Sequence, residues 1–529
     1  MIAPLALPFV LGACGGDDLA RVTAIQLPSG LAVDEALMAD VDGDGRVDLV
    51  LTATAPGFER YVRVHLDRGG ERAGTFAQEP DHELRLTKDV TAFAVGDVHA
   101  DAGSEIVLFS ARGAFAWRPT AAEESRYVRL VEATFLWQLA EDDHVDRWQA
   151  GVRDVDGDGL VDLVLPEPDG WRLALQRRAP TGDTNFERVF ALRVPADERR
   201  PAERRTAVRT EDGPELDAER QERRRFRIRI GGGADVEEES YWTGPLVSVE
   251  ERAPAPQLYD WEGDGDLDLI AQTAYSLLVW LQSDAHAFDT EPNLRFALPV
   301  EVDIGRRLDI SYSATLAQLD GDDRVDCVIF AGDKRSDDVR TQVLVFLQDG
   351  TRAESPLFGP DGMPAQLLVL AGFAGGARLL DIDGDAAPDL VVSAVRPDLI
   401  DQLTGGATDS IEVELTVFLN NGRGFSRRPD LTHRVRVPTG GMNASVRFLT
   451  DVSGDGVREL LAREEPERLS LHLVRADGKG GRLEVLDRPL WELRVDEDAR
   501  VRFAERPEAP SRPDLLVLEE AQILHVRFP

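Results

Sequence analysis

The sequence predicts an all-β fold, a β-propeller of eight blades, with seven as the alternative count. Three observations lead there: an acidic loop recurs along the chain, its copies lie about 57 residues apart, and each copy is followed by short strand-like runs. A repeat of that length is a supersecondary unit in an array. Four strands per unit is the propeller blade.

The loop is clearest at "DVDGDGRVDLVL", Asp40 to Leu51. Asp40, Asp42 and Asp44 occupy positions 1, 3 and 5, where a tight loop can turn their oxygens to one side. Gly43 and Gly45 permit that curve. The carbonyl of Arg46 at position 7 can add an oxygen, and Asp48 at position 9 can close the cage. An all-oxygen set suits Ca²⁺, a hard ion of flexible geometry, better than Mg²⁺, which retains its waters. There is no Glu at position 12, and "DLVLTATA" follows in place of an amphipathic helix. This is therefore a calcium loop that leads into a strand and not an EF-hand.

Three further copies are intact: Asp154, Asp156, Asp158, Leu160 and Asp162; Asp260, Glu262, Asp264, Asp266 and Asp268; and Asp381, Asp383, Asp385 and Asp389. Leu160 and Asp266 stand at the carbonyl position. Three copies are worn. One keeps Asp97, Asp101 and Glu105 around His99; one has Gln318 before Asp320, Asp322 and Asp326; one keeps Asp451, Asp455 and Glu459 around Ser453. Worn loops are expected to bind weakly or not at all, since each lost ligand removes charge and an oxygen. Successive first positions lie 57, 57, 106, 58, 63 and 70 residues apart, too far for tandem EF-hand or dockerin-like loops.

The first unit reads as the strands "EALMAD", "DLVLTATA", "RYVRVHLD" and "HELRLT". The C-terminus offers three strands, "VRFAE", "PDLLVLEE" and "QILHVRF", with the acidic loop eroded to "RPEAPSRPD". The N-terminus offers one spare strand near Arg21–Leu27. Three plus one makes an eighth blade, and pairing the chain's own ends removes the open edge.

The loops in register resemble the FG-GAP/VCBS repeat family, the repeat also found in the integrin α-subunit head; the VCBS form is the closer match. The resemblance implies that each loop joins a blade's first and second strands. It also implies Ca²⁺ at the four intact loops.

The formal net charge is −37, a surface that repels nucleic acid and bare anionic membrane. Lysine is confined to Lys88, Lys334 and Lys479, which we read as genome base composition. Residues 1–18 read as a lipoprotein signal and tether, because Leu11-Gly12-Ala13-Cys14 resembles a bacterial lipobox whose cysteine is lipidated. No Lys or Arg precedes the short apolar run. Cys14 would anchor a monomer at the outer membrane or cell surface, touching membrane only through the lipid. Cys327 reads as a buried core thiol with no disulfide partner.

Residues 19–529 form one propeller on this reading, with a charged insertion over 196–245 in the long gap. The insertion is a solvated segment or a partner-binding element, and "FRIRI" within it alternates as a half-exposed strand does. The integrin-like arrangement puts it on the face opposite the loops. The eight histidines lack ligand spacing, and no HExxH, G-x-S-x-G or phosphate loop occurs. The expectation is a non-enzymatic scaffold for a protein or glycan; the alternative is a secreted polysaccharide lyase or hydrolase.

Overall fold

In the computed structural model each repeat folds into one four-stranded antiparallel sheet. The structure describes residues 19–57, 59–69, 76–110, 112–132, 145–167, 169–178, 184–196, 198, 203–205, 225–229, 248–252, 256–273, 276–299, 310–322, 324–333, 340–348, 358, 363–395, 410–438, 446–476, 482–506 and 509–528. Blade 1 comprises Ala32–Ala39, Asp48–Ala55, Glu59–His65 and His82–Arg85. Blade 2 comprises Val90–Gly96, Glu105–Ser110, Gly113–Trp117 and Tyr127–Glu132, with Asp146–Arg147 added parallel to its first strand. Blade 3 is Val152–Arg153, Asp162–Glu167, Gly170–Arg178 and Thr184–Arg193; blade 4 is Gln257–Tyr259, Asp268–Gln272, Ser276–Trp280 and Leu294–Ala297. Blade 5 is Ile310–Ala317, Asp326–Asp333, Arg340–Phe346 and Gln366–Ala371; blade 6 is Phe373–Leu380, Asp389–Val395, Ser410–Phe418 and Leu431–Pro438. Blade 7 is Val446–Phe448, Leu460–Glu465, Arg468–His472 and Trp491–Arg494.

Blade 8 is the expected composite. Arg500–Arg506, Ala509–Leu518 and Gln522–Arg527 supply three strands, and Arg21–Gln26 supplies the outermost. The register runs from Arg21 opposite Arg527 to Gln26 opposite Gln522. The eight-blade count stands and the seven-blade alternative falls.

The core is a ring of interfaces and has no single centre. Eight hydrophobic clusters each straddle one pair of neighbouring blades, in unbroken succession from blades 1 and 2 round to blades 8 and 1. The last closes the circle: Ile25, Leu516 and Ile523 of blade 8 pack on Val33, Leu49 and Leu51 of blade 1. Second strands are covered on both faces, as the burial of Asp48 to Ala53 shows. That is why they read as continuous apolar runs. The outermost strand of blade 1 alternates between half-buried and exposed.

The insertion contributes a small sheet. Arg225–Arg229, which takes in the first four residues of "FRIRI", is a strand; it pairs parallel with Ser248–Arg252, which pairs antiparallel with Glu203–Arg205. The alternating segment is thus a strand, as its pattern suggested, with a parallel partner. The rest of 196–245 apart from Ala196 and Glu198, with Tyr241 and Trp242, lies outside the described residues, as does Cys14. Cys327 is a buried free thiol between blades 4 and 5.

Ring closure makes a quantitative prediction. Ile25 is fully buried at the blade 8–1 interface, so Ile25→Ala should cost about 2–4 kcal/mol in urea unfolding. Leu367, 52 % exposed on the outer strand of blade 5, should lose less than about 0.5 kcal/mol on the same truncation. Equal losses would mean that the N-terminal strand does not close the ring.

Candidate metal centres

Each loop joins the first and second strands of its blade, so the loops share one face. In blade 1 Asp40 accepts the Gly43 amide at 2.7 Å on one oxygen and the Gly45 amide at 2.8 Å on the other. The first aspartates of the other intact loops repeat this: Asp154 accepts Gly157 and Gly159, Asp260 accepts Gly263 and Gly265, and Asp381 accepts Gly384 and Ala386. The position-5 carboxylate accepts the position-7 amide: Asp44 accepts from Arg46 at 2.8 Å and Asp158 from Leu160 at 2.9 Å. The curl is thus written in side-chain to backbone bonds. Ala386 takes a φ of 70° where the other intact loops place glycine.

The position-9 carboxylate has a larger job than the sequence suggested. Asp48 is fully buried; one oxygen accepts the Val41 amide and the other the Asp67 amide, both at 2.8 Å. Asp162 does the same with Val155 and Gln176, Asp268 with Trp261 and Gln282, Asp326 with Leu319 and Gln348, and Asp389 with Ile382 and Asn420. One carboxylate therefore ties the loop, the second strand and the end of the third strand. Its partner near the end of the third strand went unnoticed in the sequence, although "HLD", "ALQ", "WLQ", "FLQ" and "FLN" recur there. Asn420 adds an inter-blade bond, donating from its side chain to the Leu319 carbonyl of blade 5 at 2.8 Å.

Side-chain ligand atoms converge to within 4.8 Å of one another in five groups among the described residues. The groups are Asp40, Asp42 and Asp48; Asp154, Asp156 and Asp162; Asp381, Asp383 and Asp385; Asp451, Asp455 and Glu459; and His99, Asp101 and Glu105. Convergence does not follow the division into intact and worn loops. The intact Asp260 loop, with Glu262, Asp264, Asp266 and Asp268, forms no such group, whereas two worn loops do. Among the described residues arginines enter three loops: Arg46 pairs with Asp44, Arg118 with Asp101, and Arg177 with both Asp156 and Asp158.

The donor set fits a hard cation. Asp156 is buried, yet its Oδ1 has no hydrogen-bond partner, and neither has the buried Oδ1 of Asp383. An unpaired buried carboxylate oxygen is costly. A cation among the converged carboxylates would remove that cost.

Neighbouring loops interlock. The Ser104 amide of blade 2 donates to the Asp40 carbonyl of blade 1 at 2.7 Å, and the Arg458 amide of blade 7 to the Ile382 carbonyl of blade 6 at 2.9 Å. Gly103, at φ 99°, lies so close to blade 1 that a Cβ there would sit 2.5 Å from the Val41 carbonyl oxygen.

No protein-family model matches the chain, and no curated protein matches it. Solved structures similar to it include the exotype rhamnogalacturonan lyase YesX, at 14 % identity and a TM-score of 0.33, covering 96 % of this chain and 76 % of that one. Others are the Bacillus licheniformis rhamnogalacturonan lyase PL11 (13 %, TM-score 0.32, covering 95 % and 75 %) and rhamnogalacturonan lyase YesW (11 %, TM-score 0.32, covering 96 % and 75 %). At such scores the fold rests on the chain's own sheets, and the lyase activity stays with those enzymes.

Burial also sets a pH dependence. It raises the carboxyls of Asp48 and Asp326 to about 6, and those of Glu105, Asp162, Asp268 and Asp389 to about 7. Unfolded carboxyls titrate near 4, so between about pH 4 and 7 the folded chain binds more protons, and its stability falls as pH rises. In EGTA the melting temperature should therefore climb as pH drops from about 8 to about 5.5, and saturating calcium, which favours the ionised forms, should flatten that climb. A metal-free melt that falls steadily on acidification would contradict this.

Proposed function

We propose that this chain is a calcium-stabilised extracytoplasmic propeller of the FG-GAP/VCBS kind that serves as a non-enzymatic binding scaffold for a protein or glycan. The observation that carries the metal part is the recurrence of the loop: ligand groups drawn together at one end of five blades, with buried oxygens of Asp156 and Asp383 left unpaired. Calcium accepts six to eight oxygens and tolerates uneven geometry, which suits loops whose converging members differ from blade to blade.

The scaffold part is supported by how the chain spends its reactive groups. His65 and His472 are buried and bonded to the carbonyls of Ala77 and Leu486, each at 2.9 Å. His525 is buried against Asp514 at 2.7 Å, and Arg527 holds the same Asp514 oxygen. These groups brace blades. Residues 1–18, with a lipid on Cys14, would tether the propeller outside the cytoplasm, where calcium is plentiful. The segment over 196–245 would serve as the partner element. Its start is pinned on the face opposite the loops: Glu198, buried, accepts the hydroxyls of Thr273 and Ser276, each at 2.6 Å, and pairs with Arg295.

The metal part is tested by thermal melts. Calcium should raise the melting temperature of the EGTA-treated chain, because an ion that binds only the folded state stabilises it by mass action. Asp156→Asn with Asp383→Asn should remove a large share of that rise; an unchanged midpoint on calcium addition would rule out structural calcium. For the tether, Cys14→Ser should move the protein from the membrane fraction to the soluble one. An unmodified Cys14 in the wild-type protein would defeat it.

A further inference from the structure

The blade 3 loop holds a cation of the protein's own. Arg177, next to the Gln176 amide that pairs with Asp162, turns back over the loop. Its Nη1 donates to Asp158 Oδ2 at 2.7 Å and to the Gln176 carbonyl at 2.8 Å, and its Nη2 donates to Asp156 Oδ2. We propose that Arg177 is a tethered competitor of calcium: it neutralises the blade 3 loop in the absence of the ion and lowers the affinity of that loop for it. The proposal rests on the calcium reading above and adds a regulator to it.

The argument begins with the oxygens. Asp156 is 2 % exposed and converges with Asp154 and Asp162. Its Oδ1 is buried without a partner, which calls for a cation, and the guanidinium reaches only Oδ2. At Asp158 Arg177 takes the oxygen that the loop leaves over, since Oδ1 accepts the Leu160 amide. Asp158 accordingly falls outside the convergent group. Blade 1 repeats this: Asp44 gives Oδ1 to the Arg46 amide and Oδ2 to the Arg46 guanidinium, and the group there is Asp40, Asp42 and Asp48. In blades 6 and 7 the position-5 residues Asp385 and Asp455 accept the same amide, from Ala387 at 2.9 Å and Val457 at 3.0 Å. Among the described residues no arginine pairs with either carboxylate, and both join their groups. Blade 2 departs from the rule: Asp101 pairs with Arg118 and stays in its group, where it meets His99.

Charge gives the direction of the effect. A guanidinium is a permanent cation, and like charges in one loop repel. Arg177 therefore opposes an ion among the same carboxylates both by its charge and by the Asp158 oxygen it withholds. It is held firmly enough to compete, because the Asp156 side chain it pairs with is fully buried. It is also free to leave, because its own side chain is 29 % exposed and rides on a long stem. The pairing of the third strand with the fourth shifts register between Leu175 and Arg177, the kind of irregularity that re-aims a side chain.

The test uses the full chain stripped with EGTA and titrated with Ca²⁺ by calorimetry, with thermal melts in EGTA and in saturating calcium. Arg177→Gln should tighten one calcium equivalent by about tenfold and leave the others unchanged. In EGTA this variant should melt below the wild type, because buried Asp156 has lost its counter-ion; in saturating calcium the deficit should vanish. Arg177→Lys keeps the charge but not the fork, so it should tighten the same equivalent by less, and it carries the test if the glutamine variant fails to fold. With Asp156→Asn in place, Arg177→Gln should no longer change calcium affinity. Calcium binding that is unchanged or weaker in both Arg177 variants overturns the proposal, and weaker binding would make Arg177 an orienting partner of the carboxylates. A wild type that takes up no calcium sinks the calcium reading and this proposal with it; uptake with equal affinity in every variant sinks this proposal alone.

Discussion

The blade depends on one buried carboxylate. At the junction of acidic loop and second strand, an Asp or Glu is sunk where water cannot reach it, and desolvation is the largest influence on its proton affinity. Burying a charge is tolerable only when it is paired or hydrogen-bonded. In blades 1, 3, 4, 5 and 6 two amides do this, one from the loop and one from the end of the third strand or just beyond it. The loop cannot drift without unpairing the carboxylate, so the ligands at positions 1, 3 and 5 are presented by a fixed frame. The worn loops keep the anchor: Glu105 and Glu459 stay buried and accept the amides of Val98 and Val452. The repeat loses its ligands before its anchor because the anchor belongs to the fold.

Blade 8 shows what happens when the loop is gone. Asp514 remains at the head of the apolar run "LLVL", opposite Ala504 of the first strand. Its partners are now His525 and Arg527 from the third strand, and they hold its carboxyl below the usual range against the opposing effect of burial. A histidine and an arginine replace the pair of amides. This blade also has to accept the N-terminal strand, and its fixed internal bracing suits a sheet closed by two distant parts of the chain.

The period, the four strands per blade, the composite eighth blade and the loop positions were all legible in the sequence, because each rests on local pattern: alternation, glycine punctuation and acidic spacing. What was not legible depends on how segments pack in space, within a blade or between blades. Nothing local says that Gly103 must lie against Val41, that Arg177 reaches back over two aspartates of its own loop, or that the carboxylates of the intact Asp260 loop do not converge while those of two worn loops do. The partner strand of "FRIRI" was hidden for the same reason, since its neighbour Ser248–Arg252 lies on the far side of a long charged stretch.

The scarcity of lysine, read from sequence as base composition, has a structural counterpart. Arg463 is 2 % exposed at the end of blade 7 away from the loops, and it donates to the carbonyls of Pro466, Ala499, Asp496 and Glu497. Arg60 in blade 1 reaches the carbonyls of Thr87 and Val90 in the same way. In both blades a guanidinium grips the connection to the next blade, and Arg500 grips the Val33 carbonyl across the closure. A planar fork with five donors can hold several carbonyls at once and is less strongly hydrated than an ammonium, so it is the cheaper cation to bury. The two faces of the ring are therefore fastened by opposite means, acidic loops on one and buried arginines on the other. If the acidic loops hold calcium as proposed, removing it would loosen only the first face.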